Sequence, residues 1–293
     1  MKIFLSFVIL SFLLVTLLPA QGLLDLLEEE AAETEPAAEF TTTTFFSTRV
    51  INGQSVENPF PGDLIFIISH HFGRLNQGAY EMWGLDRASV RFGFEYGVNE
   101  RLALSVGRST YEKTFDGYFK YKLLSQQTGL RDIPVTLSWF SGAYIKSMKW
   151  PQPDDALEFH HRLSYVNQIM IARKFSRDFS LQLTPAWVHK NLVTSRDDPN
   201  DLFVMGVGGR LRITDWVTLN GEYFYRFNTP ESFDSYNAFS VGFDIDTGGH
   251  IFQLHFTNTQ PMFERGFLTE TRGNWLDGDI YFGFNITRVF GLK

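Results

Sequence analysis

The chain has 293 residues, a formal net charge of −7, seven histidines and no cysteine. No disulfide, thiolate metal site, cysteine nucleophile or lipidated N-terminal cysteine is possible, and the acidic balance argues against nucleic acid as a partner. Thirty phenylalanines in a chain of ordinary overall hydrophobicity suit a wall in which only every second residue meets lipid, as in a transmembrane barrel.

Residues 1–20 carry one lysine, an apolar run from Ile3 to Leu18, and then Pro19-Ala20-Gln21. This predicts a secretory signal peptide cleaved near Ala20. The alternative is an uncleaved anchor, for which the run is slightly short. No later stretch reaches about 18 uninterrupted apolar residues, which excludes helical membrane spans. Residues 21–46 form an acidic leader, with Glu28 to Glu30 and Thr34-Glu35-Pro36, expected to be a flexible periplasmic tail. Within 41–50 the chain turns β-prone, and Ile51-Asn52-Gly53-Gln54 reads as a turn. This segment is expected to tuck against or into the strands downstream of it. The barrel domain is assigned to 47–293.

From residue 64 onward, period-two alternation predicts about twelve strands. The plainest pair is the hairpin at 87–106. Val90, Phe92, Phe94 and Tyr96 alternate with Ser89, Arg91, Gly93 and Glu95, and Leu102, Leu104 and Val106 come after the break Gly97-Val98-Asn99-Glu100. The other strands are expected at 64–72, 114–124, 133–140, 159–173, 179–190, 203–213, 217–227, 238–246, 251–258 and 279–290. The links then sort by length. Those at 97–100, 174–178, 214–215 and 247–250 are short, and 125–132 is somewhat longer. Those at 73–86, 142–157, 191–201, 228–236 and 259–278 are long, and only the one near 111–113 breaks the pattern. Short turns at one rim and long loops at the other mark an all-β, antiparallel, up-and-down barrel of the outer membrane, with periplasmic turns and termini and extracellular loops. A sandwich has no reason to sort its loops this way. The last strand sets Ile280, Phe282, Phe284 and Ile286 against Asp279, Tyr281, Gly283, Asn285 and Thr287. It resembles the terminal signal read by the barrel-assembly machinery, although the final residue is Lys293 and Phe290 takes the aromatic part.

Several stretches together are similar to a known family. They are Ser47-Thr48-Arg49-Val50-Ile51-Asn52-Gly53-Gln54-Ser55-Val56-Glu57, Ile68-Ser69-His70-His71-Phe72-Gly73, Gly84-Leu85-Asp86, Phe94-Glu95-Tyr96-Gly97, Gly107-Arg108-Ser109 and the run 113–124. The chain resembles an uncharacterised family of outer-membrane β-barrel proteins typical of Bacteroidetes-like bacteria. The resemblance is sharp over 47–125 and more diffuse afterwards. It implies fold and location, and no activity.

By parity the inward face carries Arg91, Glu95, Asp116, Lys120, Lys122, Arg162, Lys190, Arg210, Arg212, Glu222, Arg226, Asp244 and Asp246. Charges face inward only where water or partners meet them. Two readings are open: a wet pore selecting small anions or other polar solutes, or a lumen plugged by ion-paired side chains. The expected function is a passive channel for small polar solutes. The alternative is a structural or docking barrel that binds a partner through its loops or leader. A lipid-modifying or haem-handling enzyme is less favoured, and no cofactor or metal is expected. His70-His71 and His160-His161 each offer at most one inward ligand, because neighbours on a strand diverge. His255 and Ser240 lie on adjacent predicted strands without an orienting acid. Trp139, Trp187 and Trp216 are expected in the interface belt, and Trp83, Trp150 and Trp275 in outer loops. The expected partners are outer-membrane lipid, the assembly machinery and a small polar solute.

Overall fold

The computed structural model describes residues 37–149 and 157–292. The predicted signal peptide, most of the leader and Trp150 lie outside them. Among the described residues the chain divides into two compact units, one of 37–40 with 127–132 and one of 41–126 with 133–149 and 157–292. In the first, Glu39–Phe40 pairs antiparallel with Gln127–Thr128.

In the second unit, twelve strands among the described residues close a barrel. They are β1 (Asp63–Arg74), β2 (Ala88–Gly97), β3 (Leu102–Ser109), β4 (Thr114–Leu124), β5 (Thr136–Lys146) and β6 (Leu163–Lys174), then β7 (Phe179–Lys190), β8 (Asp201–Arg212), β9 (Val217–Arg226), β10 (Ala238–Asp246), β11 (His250–Thr257) and β12 (Tyr281–Gly291). Every sequence-adjacent pair is antiparallel, and β12 returns to β1 from Tyr281↔Arg74 to Gly291↔Asp63. Closure leaves no edge, which hydrocarbon demands of any sheet that crosses it. No helix among the described residues is long and apolar enough to cross a membrane.

The alternation sets the wall. On β2, Phe92, Phe94 and Tyr96 are 48%, 44% and 38% exposed on the outside, while Arg91 and Glu95 are 0% and 1% exposed inside. Outward aromatics stack across strands, Phe66 on Phe94 at 4.9 Å and Phe72 on Phe282 at 5.8 Å, which is how neighbouring strands gain contact on a lipid-facing surface. Trp139 and Trp187 are also exposed outward. Trp187 donates its indole N–H to Asp201 at 2.8 Å near the long-loop rim.

Two predicted strands are displaced. The fifth begins at Thr136 and not at 133, because Pro134 has no N–H for the ladder, and it runs on to Lys146. The sixth begins at Leu163 and not at 159. Phe159–Arg162 is a 3-10 turn closed by a capping box between Glu158 and His161. Pro185 leaves a second mark, since the β6–β7 pairing is interrupted between Gln168↔Ala186 and Ile171↔Leu183 while the register is kept.

Candidate functional site

The lumen is filled. One filling segment, 44–57, comes from the chain before β1. Its residues 48–55 double back as a small hairpin, with Ser55 N–H donating to Thr48 O at 2.9 Å and Val50 N–H to Gly53 O at 2.8 Å. The tip carries three successive amides that point at one carboxylate of the wall. Glu222 on β9 accepts from Asn52 N–H at 2.8 Å, Gly53 N–H at 3.0 Å and Ile51 N–H at 3.2 Å. Consecutive amides in a turn form a concave anion cradle, and Glu222 supplies the anion. The Lys120 ammonium on β4 does the converse, donating to the carbonyls of Glu57, Ser55 (3.1 Å) and Thr48 (3.4 Å). Wall amides complete the fit. Gln182 accepts from Val56 N–H and donates to Gln54 O, and Asn285 donates to Ile51 O at 2.9 Å.

The second filling segment is 258–272, inside the long link between β11 and β12. Its helix α1 (Glu264–Thr269) is buried at every residue. Phe263 stacks on Tyr144 at 5.7 Å, and Phe267 meets Phe224 at 5.0 Å. The first residue of α1 ties the two segments together. Glu264 accepts from Gln54 at 2.7 Å and Arg49 at 3.3 Å on the first segment, and from the Tyr144 hydroxyl of the wall at 2.6 Å. Beside them Arg91 grips Asp116 with two hydrogen bonds, at 3.0 and 2.5 Å. Gly107 leaves room for that pair, since a Cβ there would sit 2.4 Å from the Arg91 guanidinium.

Above the second segment, at the long-loop rim, an open vestibule of about 220 Å³ remains. Alternating charges cross its floor. Lys146 pairs with Glu112 at 2.5 Å, Glu112 with Arg265 at 2.7 Å, Arg265 with Glu270 at 3.1 Å and Glu270 with Lys190 at 3.0 Å. This chain latches the loop segment to β5, to the 110–113 turn and to β7. Burial alone would raise the Glu270 carboxyl, but the Arg265 guanidinium and Lys190 ammonium overcome it and hold the pKa at about 2. Glu112 and Lys113 sit at φ 51°, a left-handed conformation unusual for non-glycine residues. The ion pairs of Glu112 to Lys146 and Arg265 offset its cost. To one side, Asp198 staples two loops by accepting from the Ser232 hydroxyl and from the amides of Ser232, Glu231 and Ser195. Burial raises its pKa less than these hydrogen bonds lower it.

Of the predicted inward residues, Arg91, Glu95, Asp116, Lys120, Arg210, Glu222, Arg226 and Asp244 are buried inside the wall. Arg210 donates to Thr43 O at 3.1 Å, where the first segment enters, and Arg226 to Thr269 O at 3.2 Å on α1. Lys122 and Arg212 are half-buried at the short-turn end, where Arg212 binds Asp215. Arg162 is a correction. It lies in the 3-10 turn above the wall, donates to the carbonyls of Lys146 and Met148, and lines the vestibule.

The histidine doublets also sort differently. His70 faces outward, stacked on Phe284 at 5.0 Å. His71 faces inward, with Nε2 2.9 Å from Nε2 of His255 and Nδ1 3.1 Å from Gln260 O. His160 and His161 sit in the rim turn and on no strand. Among the described residues no group of three or more His, Asp or Glu is placed to hold a metal. Sequence reasoning missed Glu112, Glu264, Arg265 and Glu270. All four lie in links without periodicity, and the Glu-Arg pair at 264–265 and the acid at 270 were the only signal.

A closed sheet with an outward apolar belt and a filled polar interior defines a membrane β-barrel. The chain belongs to the family described as "Membrane bound beta barrel domain (DUF5777)", which matches residues 45–290. A comparison with curated proteins gives no match. Among solved structures the chain is similar to the NanC porin, at 9% identity, with 77% of this chain and 98% of that chain covered and a TM-score of 0.48. It is also similar to an outer membrane channel from Pseudomonas putida F1 (12%; 80% and 97%; 0.45) and to the outer membrane protein Omp33 of Acinetobacter baumannii (7%; 80% and 100%; 0.42).

Proposed function

We propose that the protein is an outer-membrane barrel whose lumen is closed at rest by its own chain, with the short turns facing the periplasm. The observation that carries this is the engagement of the inward charges. Lys120 and Glu222 bind the segment 44–57, Arg210 lies over its Phe46 ring and binds Thr43 just before it, and Lys190 and Arg226 bind the segment 258–272. A water-filled pore would leave such groups to solvent or to passing solutes. The outward aromatics supply the surface that outer-membrane lipid covers, and β12 supplies the terminal strand for the assembly machinery. The passive channel for small polar solutes is the second reading. It describes the same barrel once both segments are withdrawn, because the buried charged wall then meets water.

Planar-bilayer recording tests both. The full chain is expected to show no steady conductance, and a variant lacking both 44–57 and 258–272 is expected to conduct. A steady ohmic current through the full chain removes the closed reading. A silent deletion variant that retains its β-sheet circular dichroism removes the channel reading.

A further inference from the structure

We propose that the outer vestibule binds a small organic anion, a carboxylate carried on a ring or short apolar body. The cavity, about 220 Å³, falls below the roughly 300–1,000 Å³ typical of pockets for drug-sized ligands. Five cationic residues line it against three acidic ones. The acids are already engaged: Asp198 by four donors, Glu112 and Glu270 by the latch. The cations are not all used. The Arg272 guanidinium lies over the Phe233 ring at 4.8 Å and has no ion pair or hydrogen bond with any described residue. Stacking on an aromatic fixes a guanidinium while leaving its in-plane N–H fork open, the geometry that takes a carboxylate bidentately. Lys146 and Lys190 add positive charge to the same cavity, although each already pairs with an acid. Phe233, Pro230, Tyr111 and Leu202 supply apolar wall beside these donors, so an anion with a greasy body fits better than a bare one.

The loop segment 258–272 that helps to fill the lumen also provides Arg265, Glu270 and Arg272 to this site, so the proposal rests on the placement of that segment. Ligand-detected NMR on the full-length protein in detergent tests it with three probes of one shape: benzoate, benzamide and benzylammonium. Benzoate is expected to bind saturably, and the uncharged and cationic analogues at least about tenfold more weakly, as charge-assisted hydrogen bonds dictate. Arg272→Gln is expected to lower benzoate affinity about tenfold. It should leave the thermal midpoint unchanged, because Arg272 is exposed. Equal binding of benzamide, an unaltered affinity in Arg272→Gln, or no saturable benzoate binding overturns the proposal. Conductance of the same preparation reports on the lumen alone, so the two readings fail separately.

Discussion

The two segments that fill the barrel are held by different physics. The N-terminal one, 44–57, is gripped in the buried interior, largely through its own backbone. Glu222 holds three of its amides, Lys120 its carbonyls, and neutral side chains such as Gln182 and Asn285 the remainder. The loop segment, 258–272, buries Phe263, Phe267 and Leu268 against the wall and is latched at its outer end by ion pairs that line a wet cavity. The second set of contacts is partly exposed to solvent and the first is buried. Screening and titration should therefore loosen the outer latch while the inner grip stays indifferent.

The comparison breaks first at Glu264, the residue both segments share. Glu264→Ala strips an acceptor from buried Arg49, Gln54 and Tyr144, and loss of a buried charge partner costs about 3 kcal/mol or more. Detergent-phase unfolding is expected to show that loss together with bursts of conductance. A wild-type midpoint would mean that the two fillings are independent.

Glu222→Ala ranks next, because it leaves three buried amides without an acceptor, at about 1 kcal/mol each or about 3 kcal/mol in total. Glu222→Gln, which still offers one carbonyl oxygen, is expected to lose roughly half as much. Neither effect should change between low and high salt. A strong salt dependence would place Glu222 in a wetter site than its burial implies.

The outer latch titrates. The Glu270 carboxyl is held at about 2 in the folded protein against an ordinary 4.5, so the unfolded chain binds its proton first on acidification. The stabilisation is complete above about pH 4.5 and is lost as pH falls toward 2, on the order of 2–3 kcal/mol. Thermal midpoints measured across pH 2–6 should trace that decline, and Glu270→Gln should flatten it. An unflattened decline in the variant would assign the titration to another carboxylate.

The smallest expected effect is at Lys146, whose pair with Glu112 is partly exposed. Lys146→Met should cost about 0.5 kcal/mol at low salt and nothing measurable at high salt, read by chemical unfolding in both buffers. A loss that survives high salt would show that Lys146 acts through packing.

The wall was legible in the sequence because a period of two encodes which face a side chain takes. Arg91, Glu95 and Glu222 alternate with Phe92, Phe94 and Tyr223, and nothing else was needed to set them inside. Loop lengths alone gave the two rims. The partners of the inward charges were not legible. The Glu222 carboxylate and the Asn52 amide are 170 residues apart in the chain, and no local pattern announces that they meet. The turn at 51–54 was visible, and so was its tendency to tuck in, but the cradle it forms depends on a wall residue that alternation can only orient. The loop segment was harder. Residues 258–278 have no period, and α1 at six residues is too short to leave a helical repeat. The placement of Arg162 failed for a related reason. A capped 3-10 turn at 159–162 resembles the start of a strand when only polarity is read.

Both fillings share one topological property. Thr41 and Thr43 are bonded at the short-turn end, to Gln126 and Arg210, and the same segment rejoins the wall there at Asp63. The loop filling leaves the wall after Thr257 and returns at Tyr281, both at the opposite end. Each is a bight that enters and exits by a single mouth, so neither threads the ring. The cylinder can zip shut before, during or after it is stuffed, and either stopper can be drawn without unlacing a single strand.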